Sequence, residues 1–554
     1  MFNKVIKFDK FLLILLTLGI IFFLIYSYLA LSFPRSLSGE PKLIFNSPDE
    51  TANYFYSDLF AQKSTLKFID PVNQFTNGLI SPRSLRVIDG QTVPASFIGL
   101  PIIYGSLAKI FGTCSLAFYT PLLAILGIIF FYLLIKEIFN KKTAILTALF
   151  VFILPAYWYY ATKGLMPNIT FLVFFIMALY CFIKVLKSRQ LIFYLFFGLF
   201  LALSLMIRTS EIIWMISLFF ILTVYFRKKI NWLFLFLSIL IFFLIFSPVF
   251  YFNQQIYGSP LSLGYSLEMA GVSENIISQG INLLGMILLP FGFHPRLALN
   301  NLFNYTLGIF PLWSALALVS LLFIIIRLIV NKRILKTEQK LKNELWYSLL
   351  FILMGGYLFI YYGSWPIHDY PDPEAVTIGT SYVRYWLPVY LFSLPLISIF
   401  LLKFLGRFKV GLPVVTGCLV AVLFISSFSL VMLDREEGIY QVKRNILSYQ
   451  KIANAVFKQT QNNAVIIAER MDKVFFPNRR VVFKLNNVSD YLTIRRLIEN
   501  NFPVYYFYFT RSTEELAEFN QKYFNSYGLE VGESLLDFEK QSLYPVKIMQ
   551  KEEL

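Results

Sequence analysis

Asp49 and Glu50 stand side by side in FNSPDETANYFYSD, residues 45–58, just past the first apolar segment of a chain in which charged residues are scarce. Adjacent carboxylates at a water boundary can take a proton or share a cation. At the start of a helix behind Ser47-Pro48 they can also complement the positive end of the helix dipole. Cations occupy comparable boundaries farther along: Arg384 in SYVRYW, Lys163 in the tight turn ATKGLMPN, and Arg208 three residues before Glu211. Arginine offers a planar fork of donors and keeps its proton, which suits a phosphate; it can equally snorkel to an interface. Arg208 is also spaced to pair with Glu211. Tyr54, Arg83, Asn168, His294 and His368 add polar groups to the same boundary regions. The two histidines are too far apart for a metal motif. Cys114, Cys181 and Cys418 lie in apolar sequence and read as core residues, not as a disulfide framework or a zinc site.

The elements that must position these residues are membrane helices. A chain of 554 residues that is 57% apolar, with 60 Phe and 15% charged residues, has the composition of a polytopic membrane protein and not of a soluble enzyme. At about 20 apolar residues per span, segments near 11–32, 118–136, 143–160, 168–186, 191–208, 211–226, 231–250, 305–330, 345–363, 385–402 and 411–432 are expected to cross. The first is too long for a signal-peptide core and lacks a small-residue cleavage site, so it reads as a retained anchor.

The surplus of +17 follows the positive-inside rule and gives no reason to invoke nucleic acid. Lys4, Lys7 and Lys10; Lys136, Lys141 and Lys142; Lys184, Lys187 and Arg189; Arg227, Lys228 and Lys229; the 331–344 loop; and Lys403, Arg407 and Lys409 mark the cytoplasmic face. If residues 94–112 also crossed, the sign of every later loop would invert, so VPASFIGLPIIYGSLAKIFG reads as an interfacial or re-entrant helix, as does 281–293. With eleven spans and the N-terminus inside, loops 33–117, 251–304 and 364–384 and the tail are exterior.

That divides the chain into a membrane domain, 1–432, and an exterior domain, 433–554. In the tail, amphipathic helical sequence at 443–459, 488–500 and 513–526 alternates with β-branched and aromatic runs at 464–468, 481–485, 503–509 and 544–549. The alternation predicts a small α/β domain with a buried sheet.

The order of these parts resembles the GT-C superfamily of integral-membrane glycosyltransferases, particularly the protein O-mannosyltransferase and aminoarabinose transferase branch. The resemblance covers residues 11 to 432. SPDETANY is similar to the Asp-Glu motif of the first exterior loop and VPASFIGLPIIYGSLAKIFG to its proline-marked interfacial helix. YYATKGLMPNITFLVFF is similar to the second exterior loop entering the fourth span, and SYVRYWLPVY to an Arg-Tyr-x-x-Pro start of a late span. The resemblance implies transfer of one sugar from a polyprenyl-phosphate donor to a hydroxyl acceptor in the cell envelope, on the exterior face, with inversion. It makes Asp49 the base, with Glu50 orienting it or sharing a divalent metal where the family uses one. It makes Arg384, Lys163 and Arg208 the donor-phosphate contacts and places Tyr54, Arg83, Asn168, His294 and His368 in the substrate cavity. Asn168 stands where the family commonly carries a second acid, which weakens a metal site built from both loops. Asp369, Asp372 and Glu374 in HDYPDPE read first as a solvated turn. Two other classes compete: a lipid or glycan flippase, against which the lack of repeated halves argues, and a catalytically silent scaffold of envelope assembly.

Overall fold

A computed structural model describes residues 10–31, 43–262, 264, 288–331, 338–367, 369–370, 372, 375–405 and 412–549. Among the described residues, eight helices are long and apolar enough to cross a membrane: Lys10–Ala30, Thr113–Ile138, Pro167–Ser188, Trp232–Tyr257, Pro311–Val330, Gln339–Gly363, Leu387–Phe404 and Val414–Leu433. Two bent pairs raise the number to ten if each is one span. In the first, Lys141–Ile153 and Pro155–Thr162 meet at 56°, because the residue before Pro155 is pushed into an extended conformation and the helix restarts on the proline. In the second, Leu191–Ile207 and Thr209–Tyr225 are bent by 117°. These arms are the segments expected as two separate spans, and they account for the difference between eleven and ten. The span expected from residue 305 begins instead at Pro311, behind a π-helical turn over Asn304–Gly308.

The chain splits into two compact units, one made of residues 1–30, 117–249 and 267–441, the other of 31–116, 250–266 and 442–554. The tail is therefore joined in its unit by the first loop.

In the first unit the basic helix ends are tied together. Glu137 pairs with Lys184 and Lys187 at 2.8 and 2.7 Å, Asn343 donates to the Ile138 carbonyl at 2.6 Å, and Glu344 bridges Arg327 and Lys403. The bent pair is a hairpin whose open ends meet at this face: Arg189 donates to the Lys228 carbonyl at 3.1 Å, and the Asn231 N–H to the Tyr194 hydroxyl at 2.7 Å. At 1.5 Å per residue, its tip at Arg208 lies roughly 25 Å away, at the far ends of the helices.

The second unit holds the acidic pair. Helix Pro48–Lys63 is capped by Ser47, whose Oγ accepts from the Asp49 N–H at 3.2 Å, with proline at the first turn. Helix Gly99–Phe111, the segment read as interfacial, is too short to span and is shown as a 13-residue apolar helix. It packs on the capped helix at Gly105, where an added Cβ would lie 2.7 Å from the Ser57 carbonyl oxygen. A small antiparallel sheet has the order β1 (Phe68–Ile69), β3 (Gln91–Pro94), β2 (Leu85–Ile88).

The tail folds into the expected α/β pattern. Strands β4 (Val465–Ile467), β5 (Arg480–Val482), β6 (Val504–Phe509), β7 (Leu529–Val531), β8 (Leu536–Asp537) and β9 (Gln541–Ile548) form one sheet in the order β5-β4-β6-β9-β7, with β8 on β9. β5 and β6 run parallel to β4, which lies between them, and β9 runs antiparallel to β6. Val465, Ile467, Val482, Ile494, Leu497 and Val504 form its core, with Val72 and Ile80 of the first loop packed in.

Of the three cysteines only Cys181 is buried; Cys114 and Cys418 are on the surface, contrary to the expectation of core packing, because each lies on the outward side of its element. The helix expected over 281–293 lies outside the described residues as far as 287.

Candidate active site

In the second unit the acidic pair is built by a helix start. Ser47 fixes the first turn, so Asp49 and Glu50 leave it one after the other and about 100° apart around the axis. Glu50 is buried, whereas Asp49 is half-exposed. The Ser84 hydroxyl donates to Asp49 Oδ1 at 2.6 Å, from a residue held at φ +63°. One turn on, Tyr54 packs its ring 5.4 Å from that of Phe45. Burial, with Asp58 and Cys114 nearby, pushes the Tyr54 phenol up to about 12, so it stays a neutral donor. Arg83 is held by Asp472 of the tail, with its Nη2 2.6 Å from Oδ1.

In the first unit the cations gather at the end opposite the basic loops. Arg384 lies in the short helical turn Ser381–Tyr385 before the Leu387–Leu405 helix and donates to Ser381 Oγ from Nη2 at 2.7 Å and from Nε at 3.1 Å. Its guanidinium lies 5.2 Å from the centre of the Tyr385 ring, and that of Arg208 lies 4.7 Å from the same ring. Arg208 also pairs with Glu211 at 2.7 Å and donates to the Tyr362 hydroxyl at 2.9 Å, while Glu211 accepts from Trp214 at 2.6 Å. Lys163 is buried with its ammonium 5.1 Å from the Tyr159 ring centre. The Lys163 carbonyl accepts from the Met166 N–H, and Met166 Sδ lies 3.2 Å from Arg384 Nη1. Asn168 donates to the Arg384 carbonyl at 3.1 Å, and its buried Oδ1 has no hydrogen-bond partner among the described residues.

Residues 100–252 match the family model described as dolichyl-phosphate-mannose-protein mannosyltransferase. No curated protein matches the chain. Among solved structures, ArnT from Cupriavidus metallidurans bound to undecaprenyl phosphate aligns over 96% of this chain and 97% of its own, at a TM-score of 0.55 and 9% identity. The fold is the one seen in that ArnT structure. The Archaeoglobus fulgidus oligosaccharyltransferase tethered with an acceptor peptide also aligns, over 89% of this chain and 69% of its own, at a TM-score of 0.49 and 12% identity.

Within this fold, Asn168 contacts Arg384 directly, the Tyr385 ring links Arg384 to Arg208, and Met166 links it to Lys163. Asp49, Glu50, Tyr54 and Arg83 belong to the second unit. His294 is exposed, and its N–H donates to Ser364 Oγ at 3.2 Å. His368 and Glu374 lie outside the described residues. Asp369 accepts from the Ser381 N–H at 2.6 Å, which makes it a brace for the Arg384 turn. Asp49 already accepts from a serine, and among the described residues no group of three or more acidic, His or Cys side chains converges.

Sequence reasoning missed Ser84, Asp472, Tyr362 and Tyr385. Tyr385 sits inside the quoted SYVRYW, next to Arg384, and that adjacency was the available signal. Ser84 carries no signal, since its contact with Asp49 spans 35 residues.

Proposed function

We propose that this protein is a glycosyltransferase that moves one sugar from a polyprenyl-phosphate donor to a hydroxyl acceptor on the exterior face of the membrane, with inversion at the anomeric carbon. The observation that carries the reading is the pair of guanidiniums, Arg384 and Arg208, on one tyrosine ring at the helix ends remote from the basic loops. The fixed positive charge of Arg384, with the Glu211-paired Arg208 behind the same ring, suits a phosphate whose ester remains anchored in the bilayer. The shared fold with a protein solved bound to undecaprenyl phosphate supports the same choice of donor.

In the proposed step the acceptor oxygen attacks the anomeric carbon as its bond to the phosphate oxygen breaks. The hydroxyl proton passes to Asp49, and the leaving polyprenyl phosphate takes the bonding electron pair. Arg384 stabilises that charge, because a guanidinium acts where negative charge develops and cannot deprotonate. Arg208 and Lys163 add positive potential in the ground state, and Glu50 orients the acidic turn. Tyr54, Arg83, Asn168, His294 and His368 are assigned to the substrate cavity. The N-terminus is cytoplasmic, both arms of the 191–225 hairpin cross, and the tail is exterior. The common side of the Lys187–Arg189 and Arg227–Lys229 clusters supports that topology.

The test is reconstitution of the purified protein in proteoliposomes with polyprenyl-phosphate-linked sugar and a hydroxyl acceptor. Release of free polyprenyl phosphate with glycosylated acceptor is expected. Donor that crosses the bilayer with its sugar–phosphate bond intact would instead make the protein a flippase.

A further inference from the structure

The acidic turn is braced from a part of the chain more than 400 residues away. Asp472, on a short helix behind β4, is fully buried and holds Arg83 at both ends. Its Oδ2 accepts from the Arg83 backbone N–H at 2.8 Å, and its carboxylate accepts from Nη2 at 2.6 Å and from Nε at 3.1 and 3.2 Å. The Arg470 carbonyl takes a further bond from Nη2 at 3.1 Å, and the guanidinium rests 5.1 Å from the Phe483 ring centre. A residue fixed through both its backbone and its side chain passes its orientation to its neighbour. That neighbour is Ser84, which sits in the left-handed region and donates to Asp49 at 2.6 Å. The Ser84 carbonyl is meanwhile held by the Ala95 N–H at 3.2 Å. A second strut runs alongside: Lys473, next to Asp472, donates to the carbonyl of Asn46, immediately before the Ser47 cap.

We infer that Asp472 is a positioning residue for Asp49, acting through Arg83 and Ser84, so that the tail domain sets the geometry of the base. The inference rests on the reading of Asp49 as the base. A non-glycine residue at positive φ has few conformations open to it and persists where its surroundings over-determine it; the buried Asp472 clamp does this at Ser84. A tail that served only as a spacer would need no buried carboxylate under this turn.

The same unit supplies its own control. Asp70 and Arg480 form another two-pronged pair between the first loop and the tail, with Nε 2.9 Å from Oδ2 and Nη2 3.1 Å from Oδ1. This pair leads to the Val72 N–H and away from the acidic turn. It measures what docking of loop on tail contributes without reaching Asp49.

The experiment compares Asp472→Asn, Ser84→Ala, Asp70→Asn and Asp49→Asn in the full chain, with kcat, donor KM and melting temperature measured on the same proteoliposomes. Misplacing a reacting group by about 1 Å costs up to roughly 100-fold in rate. Asp472→Asn and Ser84→Ala are each expected to lower kcat about 10- to 100-fold, with donor KM within about twofold of wild type. The double variant should be little worse than the more severe single one, since both interrupt one chain of contacts. Asp70→Asn should lower the melting temperature yet keep kcat within about twofold. Ser84→Ala buries no lone charge, so it decides the matter even if Asp472→Asn fails to fold. An inactive Asp49→Asn beside Ser84→Ala and Asp472→Asn at full kcat would overturn the positioning role and leave the base standing. An equal kcat loss in Asp70→Asn would reduce Asp472 to general docking. A fully active Asp49→Asn would remove the base itself, and the inference with it.

Discussion

Asp49→Asn separates chemistry from helix start, because the structure makes the two effects differ in size. The substitution keeps the shape of the side chain, and an asparagine oxygen can still accept the Ser84 hydroxyl now 2.6 Å away. Ser47, not Asp49, caps the helix, so the cap survives intact. What the folded state loses is one negative charge in the first turn, about 0.3–1 kcal/mol at a half-exposed site. The melting temperature should therefore move by a few degrees at most. A positioned general base contributes roughly 10²- to 10⁴-fold, equivalent to about 2.7–5.4 kcal/mol of barrier at 1.36 kcal/mol per decade. The rate effect should exceed the stability effect several-fold. Transfer of radiolabelled sugar from polyprenyl phosphate in proteoliposomes, with thermal unfolding recorded on the same preparation, reads both. Near-complete loss of transfer in a stable protein is expected. A stable variant that transfers at the wild-type rate would refute the assignment and leave the pair as a dipole complement alone.

Arg384→Lys should lower kcat/KM about 10- to 100-fold, the loss expected when a charge-assisted hydrogen bond of roughly 1.5–3 kcal/mol and the fork geometry go together; transfer near wild type would make Arg384 an interface anchor. Glu211→Gln should destabilise the protein by about 3–5 kcal/mol, because Arg208 is left buried without its counter-charge; added polyprenyl phosphate should recover part of the melting temperature if Arg208 meets the donor, and no recovery would count against that contact. For topology, Glu518→Cys and Lys340→Cys suit a background with surface Cys114 and Cys418 replaced by serine: membrane-impermeant reagent from outside should label residue 518 and miss 340, and the reverse would invert the site.

Local and periodic features were legible in the sequence. The helix start at Ser47-Pro48 and the tail's alternation of helices and strands depend on neighbours in the chain, and both are found where the sequence places them. The charge pattern also anticipated that Lys187 to Arg189 and Arg227 to Lys229 share a side, which the Arg189–Lys228 bond bears out. Span counting was harder. Residues 191–225 carry two apolar segments, and hydropathy cannot tell two independent spans from a hairpin with a buried Arg208–Glu211 pair at its tip.

Contacts across long separations were not legible, and the site depends on them. Nothing within a few residues of Ser84 in SPRSLRV announces a donor to Asp49, and nothing near Asp472 announces a clamp on Arg83. Each partner satisfies its own local rules as a turn or helix residue, so only the fold reveals the pairing. Tyr385 is a different failure. Its position was in view, but a tyrosine beside an arginine at a membrane boundary reads as an interfacial anchor until a second guanidinium, 177 residues earlier in sequence, is found on the same ring. Arg208 is already neutralised by Glu211, which leaves Arg384 the larger share of the proposed phosphate contact.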